Sequence, residues 1–516
     1  VEQRVLGVQV KVSKRARRYT RFTHHILKHS GFWRHATTTH WVLKVPECIL
    51  PRVLARSRAD VRLCTGHPHR ATPIPKKQVD TMKHAHALGR FQVFPAAITV
   101  QSACFGQAAL SPSAALNDQG RVSHWHEDIN SLVRELPKRH KNAFFQTSQE
   151  QFEQSAAGLK ARVPELTDAQ IVIGISGVVA LLGDGHTMVA LDYARWNLRP
   201  YPVFSRVCSD GVFILQTTAD RADLLGLQIM AIDDVPVDQV IDRLSKVISH
   251  DNEWALKNAL VNWLCLAEAL NAVGVVSDMD HARFRLRDAQ GAERVVELAP
   301  LPVPLSKAGT LSMKSLPATA PDQLPLSIQR RPAPNWFEAI PDSRAMYIRY
   351  DRCADDKNRS VKDFSEEALA ALQASEIQTV VVDLRRNGGG NSALLRPLIQ
   401  GLAKWRTETN ESIAVLIGRN TFSSAVMNAV ELRRDAGAVL YGEPTGGKPN
   451  HYGETKTFEL PNSKIAIQYS TKFFKMQDED TPGVMPDVRI DLTSADIINA
   501  HDTIMDAALS HHAASQ

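Results

Sequence analysis

The residues of this chain best suited to chemistry are a serine and a run of glycines, each placed just after a predicted buried strand. Asp383 to Gly390 reads Asp-Leu-Arg-Arg-Asn-Gly-Gly-Gly and directly follows the β-branched run Ile377 to Val382. A strand that ends in three glycines before a predicted helix, Asn391 to Leu402, leaves backbone N–H groups bare. Such a turn can hold an anion or a developing oxyanion.

The candidate nucleophile follows the next predicted strand, Ser412 to Gly418, in the segment Thr421-Phe422-Ser423-Ser424-Ala425 that opens another helix. We assign Ser423 this role. Because a serine hydroxyl is barely ionised at neutral pH, it needs a base to remove its proton. Two alternatives stay open. Ser423 could serve only as a helix N-cap, and the adjacent Ser424 could be the nucleophile in its place.

Five motifs in a fixed order resemble the tail-specific or C-terminal-processing serine peptidases and the catalytic core of tricorn protease. They are Asp184-Gly185-His186-Thr187, Asp383 to Gly390, Thr421 to Ala425, Gly442-Glu443-Pro444-Thr445-Gly446-Gly447-Lys448, and Gly483-Val484-Met485-Pro486-Asp487. The resemblance implies an α/β protein with a crotonase-like β/α spiral core. It also implies that a helical region and a PDZ-like α/β subdomain precede this core.

The same resemblance implies roles for individual residues. One branch of the family uses a lysine as the base, which matches Lys448, and the tricorn branch uses a histidine, which matches His186. The carboxylate that orients this histidine aligns with Asp480. We favour Ser423–His186–Asp480, with Lys448 as the alternative base, because an imidazole titrates near working pH without a large perturbation. The amides of Ser424 and Gly389 are the implied oxyanion donors.

We therefore expect a serine endopeptidase that cleaves peptide bonds of proteins, including unfolded or C-terminally tagged ones, through an acyl-enzyme on Ser423. The family's usual Ser-Ala-Ser-Glu is replaced here by Ser423-Ser424-Ala425-Val426, so strict tail specificity is not implied. The alternative is a non-catalytic ligand- or peptide-binding protein on the same fold, because a fold can persist without its chemistry. We expect a protein or peptide partner and neither cofactor nor metal. Self-association into a homo-oligomer is compatible with this function.

The composition divides the chain into a basic start and a mildly acidic body. Residues 1–81 hold 17 Lys and Arg against 4 Asp and Glu, a balance of +13 in a chain whose net charge is +6, so the remainder carries −7. An acidic body argues against nucleic acid as the partner. From Met82, a basic start, a moderately apolar run and small residues resemble a secretion signal, so we expect an exported, periplasmic or extracellular protein. The scattered cysteines predict no disulfide framework.

The patterns along the chain predict six segments. Within the helical region (120–199), apolar spacing predicts helices over 125–136, 148–159 and 171–182. The segments are a basic extension that we do not expect to be structured (1–81), a candidate signal peptide and linker (82–119), a helical region (120–199), a PDZ-like subdomain (200–300), a Pro-rich linker (301–340) and the catalytic core (341–516).

Overall fold

The computed structural model describes residues 2–5, 8–11, 118–320, 323–329, 331–341 and 343–513, and it divides the chain into two units, Val1–Gly89 and Arg90–Gln516. In the first unit, β1 (Glu2–Val5) pairs antiparallel with β2 (Val8–Lys11). The candidate signal peptide lies outside the described residues. Within the described residues, no helix combines the length and the apolar character needed to cross a membrane.

The second unit begins with the three predicted helices, which the structure confirms as α1 (Asp118–Arg139), α2 (Gln149–Arg162) and α3 (Asp168–Ala180). Capping boxes start α2 and α3: Ser148 accepts the Gln151 N–H, and Thr167 accepts the Gln170 N–H. Because their apolar faces are buried together, the three helices form one core around Leu132, Phe152 and Val179.

A seven-stranded sheet follows, in the region that contains the predicted PDZ-like subdomain. Its path runs β10-β5-β6-β8-β9, with β4 paired to β5 and β7 paired to β6, all antiparallel. The strands are β4 (Phe204–Cys208), β5 (Gly211–Thr218), β6 (Gln228–Ile232), β7 (Val235–Pro236), β8 (Ala282–Arg287), β9 (Glu293–Leu298) and β10 (Met313–Ser315). Its helices are α4 (Val237–Ser245), α5 (Glu253–Trp263) and α6 (Ala267–Ala272).

Six strands between residues 335 and 489 form a largely parallel sheet, the arrangement that alternating strands and helices favour. The order is β11-β12-β13-β14-β15-β18, and only the edge pair β11–β12 is antiparallel. The strands are β11 (Asn335–Ala339), β12 (Ala345–Tyr350), β13 (Thr379–Asp383), β14 (Ser412–Ile417), β15 (Val439–Gly442) and β18 (Val488–Arg489). The helices are α7 (Val361–Gln373), α8 (Arg396–Thr409), α9 (Ser424–Ala436), α10 (Ser494–Ile498) and α11 (Thr503–Ala513).

Alternate residues of the parallel strands face opposite layers, so both faces of this sheet are apolar. Val380 and Val382 pack with α7, α8 and α9 on one face, whereas Val381 packs with α11 on the other. Two segments of the region 301–340 that we expected to be a linker, β10 and β11, pair into the neighbouring sheets. The described part of the chain is therefore a mixed α/β protein, as expected.

A three-stranded sheet joins the helical region to the core. Its long hairpin is β16 (His451–Glu459) and β17 (Ala466–Phe474), and the short strand β3 (Met188–Val189) pairs antiparallel with β17. Since β3 directly follows the Asp184–Thr187 motif, this pairing carries the motif to the edge of the core.

A buried ion cluster fixes α11 beneath the strand that leads to the glycine turn. The Arg385 guanidinium binds Asp383 at 2.7 Å and Asp502 at 2.6 Å. Burial acts to raise the pKa of Asp502, but the charge and hydrogen bonds of Arg385 outweigh it and lower the pKa to about 2. The cluster thus joins the end of β13 to the residue just before α11.

Replacing Asp502 with alanine should destabilise the fold by about 3 to 5 kcal/mol, because it leaves the buried Arg385 charge incompletely paired. Urea unfolding at pH 7 measures this loss. The depressed pKa means that the contribution is present above about pH 4 and is lost as pH falls toward 2. The matched control is Asp506→Ala on the same helix, which removes a surface pair with His501 and should cost less than about 1 kcal/mol. Equal losses in both variants would contradict this assignment.

Candidate active site

Ser423 lies in a sharp turn at the start of α9, with φ 52° and ψ −125°. A left-handed φ in a residue other than glycine stores about 1 to 3 kcal/mol of strain, and such strain persists where the surroundings impose it. The Ser423 side chain forms no helix cap, so the N-cap alternative does not describe it. Ser423 is half-buried, and its hydroxyl makes no capping hydrogen bond to the helix.

Two glycines make close contact with this turn. A Cβ added to Gly389 would lie 2.7 Å from Ser423 Cβ, and one added to Gly447 would lie 3.3 Å from the Ser423 nitrogen. Gly389 itself has φ 110°, a conformation that L side chains rarely adopt. The glycine turn and the Gly442–Lys448 loop therefore meet at Ser423, as the motifs predict they should if they form one site.

Asn387 links the glycine turn (residues 388–390) to the turn at Ser423. Its carbonyl oxygen accepts the Phe422 N–H at 3.0 Å, and its side-chain oxygen accepts the Gly389 N–H at 2.9 Å. Its side-chain amide donates to the Tyr350 oxygen at 2.8 Å. The Gly389 N–H, which we expected to serve as an oxyanion donor, is thus already occupied in this conformation.

Two other amides of these turns lack a partner among the residues that the structure describes. The N–H groups of Ser424 and Gly388 have no hydrogen-bond acceptor in the described part of the chain. The Ser424 nitrogen lies 3.1 Å from the place a Gly389 side chain would occupy, so it borders the glycine turn. By contrast, the Ser424 hydroxyl donates to the Gly390 oxygen at 2.7 Å and is buried. This geometry favours Ser423 over Ser424 as the nucleophile.

His186 reaches this turn from the loop after α3. Its ring stacks on Phe422, the residue before Ser423, with centroids 4.4 Å apart. The ring is buried, and neither imidazole nitrogen has a hydrogen-bond partner among the described residues. The loop is held in place because Gln468 on β17 donates to the His186 oxygen at 2.8 Å. Both ring nitrogens of His186 are therefore unpaired next to the residue that precedes Ser423.

Asp184 is a buried carboxylate beside His186, and its Oδ1 lies 3.9 Å from His186 Nδ1. Its Oδ2 accepts hydrogen bonds from His140 at 2.9 Å and from the hydroxyls of Thr187 and Ser470 at 2.6 Å each. Burial acts to raise the pKa of Asp184, but these bonds and the neighbouring His186 outweigh it and lower the pKa. The carboxylate is therefore a fixed negative charge within reach of the imidazole.

His451 also stacks on His186, with ring centroids 5.4 Å apart. His451 is itself buried, at 4% exposed. Burial lowers the pKa of His186 to about 4, although the nearby Asp184 acts to raise it and His451 lowers it further. Burial also lowers the pKa of His451. The two imidazoles are thus neutral at pH 7.

The remaining predicted site residues are Lys448 and Asp480. Lys448 follows Gly447 and so lies near the Ser423 turn, half-buried. Asp480 is exposed, and no hydrogen bond or ion pair joins it to His186 among the described residues. Its neighbour Glu479 accepts a hydrogen bond through its backbone oxygen from Asn450, the residue before His451. The structure therefore brings Asp184, and not Asp480, into contact distance of His186.

Other candidate groups take structural roles. Cys353 lies buried beneath the glycine turn, and burial raises the pKa of its thiol to about 12, so it is no nucleophile. Cys208 and Cys265 are also free and buried, which confirms that the described cysteines form no disulfide. Across the described ranges, no cluster of three or more His, Cys, Asp or Glu could hold a metal ion.

Sequence reasoning missed Asp184, His140 and Asp251 as members of the site. Asp184 belongs to a motif that we had identified, and its place two residues before His186 was the only available signal. His140 lies in the turn after α1 and Asp251 just before α5. Only folding brings them to Asp184 and Gly185, so no local pattern could have marked them.

The chain is similar to known proteins in two ways. It is 28% identical over 157 residues to carboxyl-terminal-processing peptidase 2, chloroplastic, of Arabidopsis thaliana, over 25% of this chain and 29% of that protein. Two solved structures share its fold at 14% identity. The structure of mature CPAF complexed with lactacystin covers 76% of this chain and 98% of its own, with a TM-score of 0.53. That of mature CPAF covers 75% and 96%, with a TM-score of 0.52.

The sequence match spans less than a third of the plant peptidase. No family model matches the chain. The relatives nevertheless confirm the resemblance to C-terminal-processing peptidases that the motifs indicate, and the CPAF structures show a common fold over three quarters of this chain.

Replacing Gly389 with alanine should make the Ser423 hydroxyl much less reactive. Gly389→Ala places a Cβ against Ser423 Cβ and imposes a φ that alanine resists, so we expect the rate of fluorophosphonate labelling at Ser423 to fall at least about a hundredfold. The labelling rate is followed by mass spectrometry of the Ser423 peptide.

The adjacent glycine supplies the matched control. A Cβ on Gly388 would meet nothing within 4 Å, and Gly388→Ala keeps the backbone N–H, so labelling should stay within about threefold of the unmodified protein. If Gly389→Ala labelled as fast as Gly388→Ala, the close packing of the two turns would have no part in reactivity.

Proposed function

We propose that this chain, whose fold and motifs resemble those of the C-terminal-processing serine peptidases, hydrolyses peptide bonds of protein or peptide substrates. The attacking group is the Ser423 hydroxyl. The observation that carries the proposal is the strained turn at Ser423, which lies against a glycine turn and has two unoccupied N–H groups beside it. A residue that serves only the fold would relax into a cap or a regular helix start.

His186 is the general base that we favour. Its unpartnered ring nitrogens lie beside the nucleophile turn, and the Asp184 charge can stabilise the imidazolium that forms during proton transfer. Lys448 stays the alternative base because Gly447 brings it to the same turn. Asp184 takes the orienting role that the resemblance gave to Asp480. Asp480 remains the alternative carboxylate. Its neighbour Glu479 accepts a hydrogen bond from Asn450, the residue before His451.

The reaction then follows from the groups present. Ser423 Oγ attacks the scissile carbonyl carbon while its proton passes to His186, and the carbonyl oxygen becomes an oxyanion. The N–H groups of Ser424 and of Gly388 or Gly389 stabilise that charge. Collapse breaks the C–N bond, and the leaving amine takes the proton from the imidazolium. Water, activated by the neutral imidazole, hydrolyses the acyl-enzyme and frees Ser423.

We infer finer assignments for the two sheets. The parallel sheet with its crossover helices corresponds to a crotonase-like core. The seven-stranded antiparallel sheet with α4 to α6 corresponds to a PDZ-like module, which would bind an extended peptide by adding a strand. What supports the second assignment is the half-buried α4, which follows β6 and β7 in the chain and packs beside them.

Ser423→Ala should abolish hydrolysis of an unfolded protein such as reduced casein, because it removes the attacking hydroxyl, and the neighbouring Ser424 hydroxyl is bonded to the Gly390 oxygen. Ser424→Ala removes the hydrogen bond to the Gly390 oxygen but keeps the Ser424 N–H, so it should retain activity within about tenfold. Release of soluble peptides measures both. Full proteolysis by Ser423→Ala would refute the proposal.

The pH profile of fluorophosphonate labelling identifies the base. His186 accepts a proton only when neutral, and its pKa of about 4 makes the neutral form dominant above about pH 5. Labelling should therefore be insensitive to this group between pH 5 and 7 and should fall about tenfold per pH unit below pH 4. His186→Gln should lower the rate at pH 7 by at least about a hundredfold.

His451→Phe serves as the matched variant for this profile. It keeps an aromatic ring on His186 but removes the imidazole that lowers the pKa of His186, so the acid limb should move to higher pH. If Lys448→Met abolished labelling and His186→Gln did not, the lysine would be the base.

A further inference from the structure

Two adjacent residues of the antiparallel region, Asp251 and Asn252, contact three separate loops of the candidate site. Asp251 Oδ1 accepts the Gly185 N–H at 2.6 Å, next to His186. Asn252 Nδ2 donates to the Thr445 oxygen at 3.1 Å and to the Pro482 oxygen at 2.6 Å. The first loop carries His186, the second carries Lys448, and the third follows Asp480.

The pair is rigid because it begins a helix. Asn252 is the N-cap of α5, and its side-chain oxygen accepts the Ala255 N–H at 2.9 Å. The same side chain thus caps the helix with its oxygen and joins two loops with its nitrogen. Asp251 is oriented by this cap, so α5 holds its carboxyl against the Gly185 amide.

The Asp251 carboxyl is buried, and only one of its two oxygens accepts a hydrogen bond of regular geometry within the described part of the chain. No hydrogen bond of regular geometry reaches Oδ2 from any described residue. Burial raises the pKa of Asp251 to about 7, and the neighbouring Asp184 charge raises it further. The amides of Gly185 and Lys448 and the Lys448 charge act in the opposite direction. The charges that act on this carboxyl are therefore those of Asp184 and Lys448.

We propose that Asp251 is a positioning residue of the site, which together with Asn252 joins the loop of His186 to the loop of Lys448. One Asp251 oxygen holds the Gly185 amide. The Asn252 side-chain amide holds the Thr445 oxygen of the Lys448 loop. Since Gly447 packs against Ser423, a shift of either loop changes where the base and the nucleophile meet. This role rests on the proposed peptidase function and assigns a residue that touches neither the substrate nor the reacting atoms.

Asp251→Asn is the informative variant because it preserves shape and changes only what the carboxyl can accept. Its single oxygen can still accept the Gly185 N–H, but the variant carries no negative charge, and an NH₂ donor replaces the second carboxylate oxygen. We expect kcat for a short peptide substrate to fall about ten- to a hundredfold while KM changes less than about threefold. The unmodified protein should also show a titration near pH 7 in its kcat profile, which Asp251→Asn should lack.

Urea unfolding tests the ionisation of the same carboxyl independently of enzyme activity. Because its folded pKa is raised, the unmodified protein loses stability relative to Asp251→Asn as pH rises from about 4 to about 7, and the difference is constant above that. The urea midpoint of the unmodified protein minus that of Asp251→Asn should therefore fall between about pH 4 and pH 7 and stay constant from pH 7 to pH 8. Asp280→Asn, an exposed aspartate of the same region, should change neither the midpoint nor kcat.

The outcomes separate this inference from the peptidase proposal. Ser423-dependent hydrolysis with the same kcat and the same pH profile in Asp251→Asn as in the unmodified protein would overturn the positioning role and leave the peptidase intact. Hydrolysis that persists in Ser423→Ala would overturn the peptidase proposal, whereas the urea series would still show whether Asp251 titrates near pH 7.

Discussion

The site depends on one close contact, the packing of Gly389 against Ser423. Because the two backbones approach so closely, neither side can relax, and the serine stays in a left-handed conformation that would otherwise be unfavourable by about 1 to 3 kcal/mol. Asn387 maintains the contact with three hydrogen bonds, and the Cys353 amide adds a fourth by donating to the Gly389 oxygen at 3.0 Å. The strain is thus held by ordinary backbone and amide bonding beneath the surface.

Burial then sets the charges around this turn. The stacked rings of His186 and His451 are kept neutral because a buried imidazolium loses hydration. Asp184 can stay ionised in the same place because His140, Thr187 and Ser470 donate hydrogen bonds to one of its oxygens. A neutral base beside a fixed anion is the charge arrangement that a serine nucleophile needs.

The third feature is the way in which separate regions are bound together. Arg419, at the end of β14, donates to the Val207 oxygen on β4 at 2.6 Å and pairs with Glu443 at 3.0 Å. Asn252 makes the corresponding contacts from α5 to the loops near Thr445 and Pro482. Since these residues lie within a few positions of the site motifs, the antiparallel region and the parallel core support the site as one structure.

The sequence alone determined the local elements and identified the candidate reactive groups. β-branched runs marked the buried strands, apolar spacing marked α1 to α3, and three glycines after β13 marked the anion-holding turn, because each signal acts within a few residues. Tertiary structure decided which groups meet. The strained conformation of Ser423 and the burial of His186 arise from contacts between residues far apart in the chain. Burial and proximity of that kind have no local pattern, so they became visible only once the chain was folded.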